Sequence, residues 1–313
     1  MEDFEDIHVA VTGGAGFLGF HLCQELFERG ANVKIYDNLS SNKDKNVEDL
    51  VQKKLEFVRG DIRDFKTLEN GIKNCELIFH LAAQSSVPYS MINPTEDFEV
   101  NALGTLDVLE SARKTDAKII FASTAAVYGN SEITPTPEDQ PAQPISFYGL
   151  SKHVAEDYCQ FYHDIYGLEV VILRIFNAYG PRGHGVIPDF LNKLKMTPHE
   201  LEVLGTGKQS RDFVHISDVV KALTLCAQHK RAVGQIYNIG SGTTTSVTAL
   251  AKMMIDLLNL SGVTKLSLGG GQAWEGDAIL THADISKIIG DLNWRPLVKL
   301  RDGLKSVIDQ KDI

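Results

Sequence analysis

The chain has few cysteines, few basic residues relative to acidic ones, and no long apolar run. Its 313 residues hold only 4 cysteines, at positions 23, 75, 159 and 226, with no Cys-x-x-Cys pair and no histidine at metal spacing. That pattern fits reduced thiols rather than a disulfide framework or a zinc module, and no metal is expected. No apolar run approaches the roughly 20 residues that cross a bilayer. The first residues, Met1 to Asp6, are acidic where a secretory leader is basic, so a cytoplasmic protein with no membrane partner is expected. Lys and Arg number 31 against 41 Asp and Glu, a formal net charge of −10 with a sequence pI near 5.5. Nucleic-acid binding needs clustered cations, so that class is set aside. No repeat or low-complexity tract occurs. The composition, 43% hydrophobic and 23% charged, is that of an ordinary globular chain long enough for about two domains.

What the sequence does have is alternation. Ile7–Val11, Val33–Tyr36, Leu55–Val58, Leu77–Leu81, Lys118–Ala122 and Val170–Ile175 read as buried strands. Helical patterns lie between them at Phe17–Arg29, Phe65–Lys73, Pro94–Thr115 and Ser146–Tyr166. The rhythm predicts an α/β fold with a doubly wound parallel sheet of Rossmann type. After Tyr179 prolines and glycines break the chain into loops and short elements. Helical patterns return at Ser217–Ala227, Ser246–Leu258 and Asp284–Leu292, with a strand at Gln235–Ile239. The predicted organisation is a dinucleotide-binding domain from 1–178 plus 212–240, and a smaller α/β substrate lobe from 179–211 plus 241–313. The cleft between them is the expected site.

Gly13, Gly16 and Gly19 follow the first strand and open a helix, as a turn against a pyrophosphate requires. Asp37 ends the second strand 18 residues beyond Gly19, where a carboxylate accepts from a ribose 2′-hydroxyl and disfavours a 2′-phosphate. NAD is therefore the expected cofactor; a structural turn and a helix cap are the plainer readings of the glycines and of Asp37. Asp61, after the third strand, could reach an adenine amino group or serve its own turn. The absence of a Lys-Ser/Thr after the glycines is against a phosphate-loop NTPase. Tyr148 and Lys152 stand four residues apart, about 6 Å along one helix face. An ammonium near the phenol would lower its pKa from about 10 and make it a base; a solvated helix face is the alternative. Ser123 and Thr124 leave the fifth strand at its carboxyl end, positioned to touch a sugar oxygen or to cap the backbone.

The ordered series Thr12-Gly-Gly-Ala-Gly-Phe-Leu-Gly19, Asp61-Ile62, His80-Leu-Ala-Ala83, Asn101-Ala-Leu-Gly-Thr105, Ser123-Thr-Ala-Ala-Val-Tyr-Gly129, Tyr148-x-x-x-Lys152 and Arg174-x-x-Asn177-x-Tyr-Gly-Pro-Arg182 resembles the extended short-chain dehydrogenase/reductases. Within them it resembles the NAD-dependent nucleotide-sugar epimerase/dehydratase family, UDP-glucose and UDP-N-acetylglucosamine 4-epimerases above all, over essentially the whole chain. The resemblance implies Thr124, Tyr148 and Lys152 as the catalytic set. It implies NAD contacts from Gly13, Gly16, Phe17, Leu18, Gly19, Asp37, Asn38, Asp61, Ile62, Leu81, Ala82, Ala83, Asn101, Tyr148 and Lys152. Substrate contacts would come from Ser86, Thr124, Asn177, Val186, Arg211, Asp277 and Thr281, with Arg211 on the diphosphate unless it only pairs with Asp212. The implied reaction is 4-epimerisation of a UDP-hexose through a 4-keto sugar.

Ala125 and Ala126 stand where related dehydratases usually carry an Asp-Glu pair, which disfavours dehydration; the decarboxylase reading weakens less. Thr281 stands where a bulky tyrosine closes the pocket of glucose-only epimerases, so an N-acetyl group is expected to fit. Trp274 stands where the family often has a diphosphate arginine. The helices Pro94–Thr115 and Ser146–Tyr166 resemble a family dimer interface, so a homodimer is expected. Other readings are a keto-sugar reductase and a non-catalytic nucleotide-binding regulator.

Overall fold

The computed structural model describes residues 4–41, 44–270 and 274–309. The acidic start at Met1 to Asp3 lies outside the described residues. The chain runs β1 (His8–Thr12), α1 (Phe17–Glu28), β2 (Asn32–Asp37), α2 (Asp44–Gln52), β3 (Glu56–Arg59), α3 (Phe65–Gly71) and β4 (Leu77–His80). Then come α4 (Val87–Ile92), α5 (Pro94–Phe98), a π turn at Glu99–Leu103, and α6 (Gly104–Thr115). β5 (Lys118–Thr124), α7 (Phe147–Tyr166), β6 (Val170–Ile175) and β7 (Asn177–Tyr179) follow. The remainder is α8 (Val186–Met196), β8 (Glu200–Val203), β9 (Ser210–Arg211), β10 (Phe213–His215), α9 (Ile216–Gln228), β11 (Ile236–Ile239), β12 (Thr245–Ser246), α10 (Val247–Leu257), β13 (Lys265–Leu268), α11 (Ser286–Leu292) and α12 (Leu300–Ile308).

Seven strands form one parallel sheet in the order β11-β6-β5-β4-β1-β2-β3. The order reverses about β1, which pairs Thr12 with both Tyr36 and His80, so the chain leaves β1 and β4 side by side and a crevice opens beyond their carboxyl ends. Successive residues feed opposite faces of the sheet. Val9, Val11, Phe79, Ile120 and Leu173 pack under α1 and α9 with Leu22, Leu26, Val219 and Leu223. Ala10, Ile78, Ile119, Phe121 and Ile172 pack under α6 and α7 with Leu109, Ala155 and Cys159. Burial on both faces explains why the strands read as unbroken apolar runs, each large side chain contributing roughly 1.5–3 kcal/mol.

A separate cluster forms from α8, β8, α10 and α12 through Phe190, Leu191, Leu201, Val203, Leu250, Met254 and Leu304. β10 pairs with β7 rather than with the large sheet, and Ile288, Leu292 and Trp294 join the core under α1 and α9 although their stretch of sequence suggests the small lobe. Pro188 does not break α8. It falls in the first turn, where the missing N–H would have had no partner. Arg182 fastens the loop after β7 to α2, with its guanidinium 2.5 Å from Asp49 Oδ2 and 2.5 Å from Asn46 Oδ1. Buried Asn46 in turn donates to the Ala15 carbonyl of the glycine turn at 2.8 Å. No helix among the described residues is long and apolar enough to cross a membrane.

Candidate active site

A cavity of about 700 Å³ opens at the carboxyl ends of the sheet strands and reaches the start of α8, β9 and the 274–281 segment. One end is lined by Gly13, Gly16, Phe17, Leu18, Gly19, Asp37, Asn38, Asp61, Ile62, Leu81, Ala82 and Ala83. Gly13 has φ +70, and a Cβ there would lie 2.7 Å from the Ala82 nitrogen, so only glycine lets the turn pass beside the β4 end. A Cβ on Gly19 would strike the Gly13 carbonyl at 2.2 Å, so α1 can pack this closely on its own turn only without a side chain. α1 begins at Gly16 with no side-chain cap, leaving its first-turn N–H groups for a ligand. Asp37 Oδ2 accepts from Ala15 N at 3.0 Å and Oδ1 from Leu39 N at 2.8 Å, while burial pushes its carboxyl upward. Asp61 is gripped by Arg63 at 2.8 and 2.9 Å and by Asn38 at 3.0 Å, which holds its carboxyl well below the usual range. An uncapped helix start, a bare glycine turn and an acid at the end of β2 together fit the pyrophosphate and adenosine ribose of a dinucleotide.

The middle of the cavity holds Thr124, Tyr148 and Lys152. Ser146 caps α7, its hydroxyl accepting from Gly149 N at 3.1 Å. A Cβ on Gly149 would meet the Ala126 carbonyl at 2.4 Å, so this glycine lets the Tyr148 turn approach the end of β5. The Thr124 hydroxyl accepts from Ala126 N at 3.1 Å and stands close enough to the Tyr148 phenol to favour its ionised form. Burial pushes Tyr148 up to about 12, partly opposed by Thr124 and reinforced by the charge of Asp97. Burial pushes Lys152 down to about 8 against the nearby thiol of Cys159 and the charges of Glu156 and Asp97, and its ammonium lies 4.0 Å over the Phe121 ring. The lysine does not govern the phenol in the protein alone; burial does.

At the other end lie Asn177, Val186, Arg211, Trp274, Asp277 and Thr281. Arg211 pairs with Asp277 at 2.5 Å, both side chains mostly buried. It does not pair with its neighbour Asp212, whose carboxylate instead collects Ser241 N, Ser241 Oγ, Gly242 N and Ala283 N. Thr281 donates to Asn177 Oδ1 at 3.1 Å.

Two expected contact residues lie outside the cavity wall. Ser86 caps α4, accepting from Tyr89 N at 3.3 Å, while Ser85 and Val87 line the cavity on either side. Asn101 is fully buried by the π turn and spends its amide on Gln84, Asp97 and Ser151. The Ser123 hydroxyl is likewise occupied, donating to Glu156. Residues that sequence reading passed over are Asp97, Gln84 and Arg63, the last two on the wall. The only sequence signal for Asp97 is its place one helical turn before Asn101.

A family model described as the NAD dependent epimerase/dehydratase family matches residues 9–240. A Methanocaldococcus jannaschii protein, named provisionally as a UDP-glucose 4-epimerase, is 39% identical over 96% of this chain and 97% of its own. The Xenopus tropicalis UDP-glucuronic acid decarboxylase 1 is 32% identical over 96% of this chain and 71% of its own. Among solved structures, the Thermotoga maritima UDP-glucose 4-epimerase with UDP-glucose superposes with a TM-score of 0.90 at 34% identity, covering 97% of this chain and 98% of that one.

Proposed function

From the premise that this chain belongs to the NAD-dependent epimerase/dehydratase family, with NAD as its cofactor, we propose that it inverts C4 of a UDP-hexose. The observation that carries this reading is the meeting of Thr124, Tyr148 and Lys152 beside Ala125 and Ala126, which also line the cavity and bring no carboxylate to expel water. Gly13, Gly16, Phe17, Leu18, Asp37, Asp61 and Lys152 would hold the cofactor. NAD, when bound, supplies the reversible oxidation that makes C4 a planar ketone, and a positive ring charge.

The protein's own residues do the rest. Tyr148 Oη takes the proton of the C4 hydroxyl and later returns it. Burial keeps that phenol protonated until positive charge lies beside it, so it acts as a base only in the loaded site. Thr124 Oγ1 hydrogen-bonds the same sugar oxygen. Arg211 binds the diphosphate and stays bound while the sugar turns over, exposing its opposite face. Thr281 and Asn177 border the sugar, and the threonine's small side chain supports a range that includes UDP-N-acetylglucosamine.

Decarboxylation of a UDP-uronate would share the trio, and the Xenopus relative makes it the second reading. The cations among the described wall residues favour a neutral hexose: Arg63 is paired with Asp61, Arg211 with Asp277, and Lys152 sits at the trio. A homodimer belongs to the proposal, supported by a stripe of exposed Phe147, Leu150, Tyr158, Phe161 and Ile165 along α7 beside Phe98 and Leu103. The test is incubation of NAD-loaded protein with UDP-N-acetylglucosamine, UDP-glucose or UDP-glucuronate, followed by proton NMR. The 4-epimer of a neutral hexose is expected; a UDP-pentose from the uronate, with no epimer, overturns the assignment.

A further inference from the structure

Asp97, on α5, is fully buried. Its carboxylate accepts from Ser151 Oγ at 2.5 Å, Gln84 Nε2 at 2.7 Å and Asn101 Nδ2 at 3.2 Å. Both amides are pinned with their NH2 groups toward it: Gln84 Oε1 accepts from Ser86 N, and Asn101 Oδ1 accepts from Gln84 N at 2.9 Å. Burial pushes the Asp97 carboxyl upward, while the hydrogen bonds from Ser151, Gln84 and Asn101 and the nearby ammonium of Lys152 work the other way and favour its charged form. Ser151 lies on α7 three residues after Tyr148 and immediately before Lys152.

We infer that Asp97 is a positioning residue for the proposed reaction, fixing the Tyr148–Lys152 turn of α7 through Ser151 and setting the charge of both side chains. The inference rests on the epimerase reading only for its turnover assay. Lys152 faces Asp97 from α5, Glu156 and Cys159 from its own helix, His80 from β4 and the Phe121 ring from β5. Glu156 is already neutralised by Arg174, burial keeps the Cys159 thiol protonated, and burial drives His80 down to about 3, leaving it neutral. Tyr148 faces Thr124 and Asp97. Asp97 is the group common to both, opposing the phenolate and favouring the ammonium.

Asp97→Asn removes the charge at nearly constant shape. Tyr148 then loses its proton at lower pH, and so does Lys152. Both limbs of the kcat–pH profile are expected to move down by about one pH unit, with KM and NAD content within about twofold of the parent. A purely structural role would lower the profile without moving its limbs, and that result overturns the inference. Ser151→Ala, a mild change inside a helix, keeps the charge and should lower kcat several-fold with the limbs in place. Unchanged kcat, or moved limbs, in that variant also overturns it, even where Asp97→Asn does not fold. A second readout needs no turnover: phenolate absorbance at 295 nm in NAD-loaded protein, with the matching Tyr148→Phe variant subtracted. A Tyr148 midpoint unmoved by Asp97→Asn refutes the role of Asp97, whereas absence of any sugar turnover in the parent refutes only the epimerase reading.

Discussion

Arg174 and Glu156 form a fork beneath the cavity, with Arg174 Nη2 2.7 Å from Glu156 Oε2 and Nε within 3.0 and 3.1 Å of the two carboxylate oxygens. Their side chains are only 5% and 2% exposed. Ser123 donates to the same carboxylate, so the carboxyl ends of β5 and β6 and α7 are tied together one residue from Thr124 and one helical turn from Lys152.

Arg174→Met would leave buried Glu156 with the Ser123 hydroxyl as its hydrogen-bond donor, His153 Nδ1 at 4.0 Å and Lys152 nearby. Breaking such a pair from one side costs about 3–5 kcal/mol. Thermal unfolding of the NAD-loaded variant should show a drop of several degrees, and a shift below one degree would contradict the assigned burial.

The fastening of Arg182 to Asp49 and Asn46 leads to a prediction about cofactor retention. Asn46 holds the Ala15 carbonyl, so Arg182→Ala loosens the glycine turn itself. Losing about 1–2 kcal/mol of hydrogen bonding corresponds to a roughly 5–30-fold rise in the NAD Kd. Calorimetric titration of protein stripped of nucleotide checks it; an unchanged Kd would mean that the loop and the turn are not coupled.

His80 bridges β1 and the helix after the π turn. Thr105 donates to the Asn101 carbonyl at 2.6 Å, so its oxygen accepts from His80 Nε2 at 2.9 Å, and Nδ1 accepts from Thr12 at 2.7 Å. The ring is therefore neutral, and burial lowers its pKa to about 3 from an ordinary 6.5. Below pH 6.5 the unfolded chain takes a proton that the folded chain refuses. Stability therefore falls as pH falls, by about 1.4 kcal/mol per unit from this residue. Between pH 7 and pH 5 the parent should lose about 2 kcal/mol more than His80→Gln in denaturant titrations; equal losses would contradict the buried neutral ring.

Arg211→Ala separates the ends of the cavity. Removing a partly buried charged contact to a diphosphate costs about 2–3 kcal/mol, a roughly 30–150-fold rise in KM for the nucleotide sugar. NAD affinity should stay within twofold, because Arg211 stands at the far end of the cavity wall. Steady-state kinetics with parallel NAD titration distinguishes this from a general loss of structure.

Much of the fold is legible in the sequence, because burial on both faces writes β1, β5 and β6 as continuous apolar runs. The glycine turn and the Tyr148–Lys152 spacing are equally local, and the cavity contains all of them. What the sequence conceals depends on distant meetings. Arg211 finds Asp277 across 66 positions and leaves its neighbour Asp212 to the backbone around Ser241, a choice set by how β9 lies against 277–283. Asn101 has the right identity for a cofactor contact, yet the π turn buries it against Gln84, Asp97 and Ser151. Pro188 reads as a breaker but sits where a helix tolerates it. Asp97 is one acid among many until α5 meets α7.

Reversible oxidation at C4 with inversion inside one site is read out by a substrate deuterated at C4. NAD-loaded protein incubated with UDP-[4-²H]glucose or its N-acetylglucosamine counterpart should yield the 4-epimer with deuterium retained at C4, read by NMR and mass spectrometry, and Tyr148→Phe should yield none while keeping its NAD. No epimer from either sugar, an epimer in which C4 deuterium has exchanged with water, or undiminished turnover in Tyr148→Phe would contradict the account.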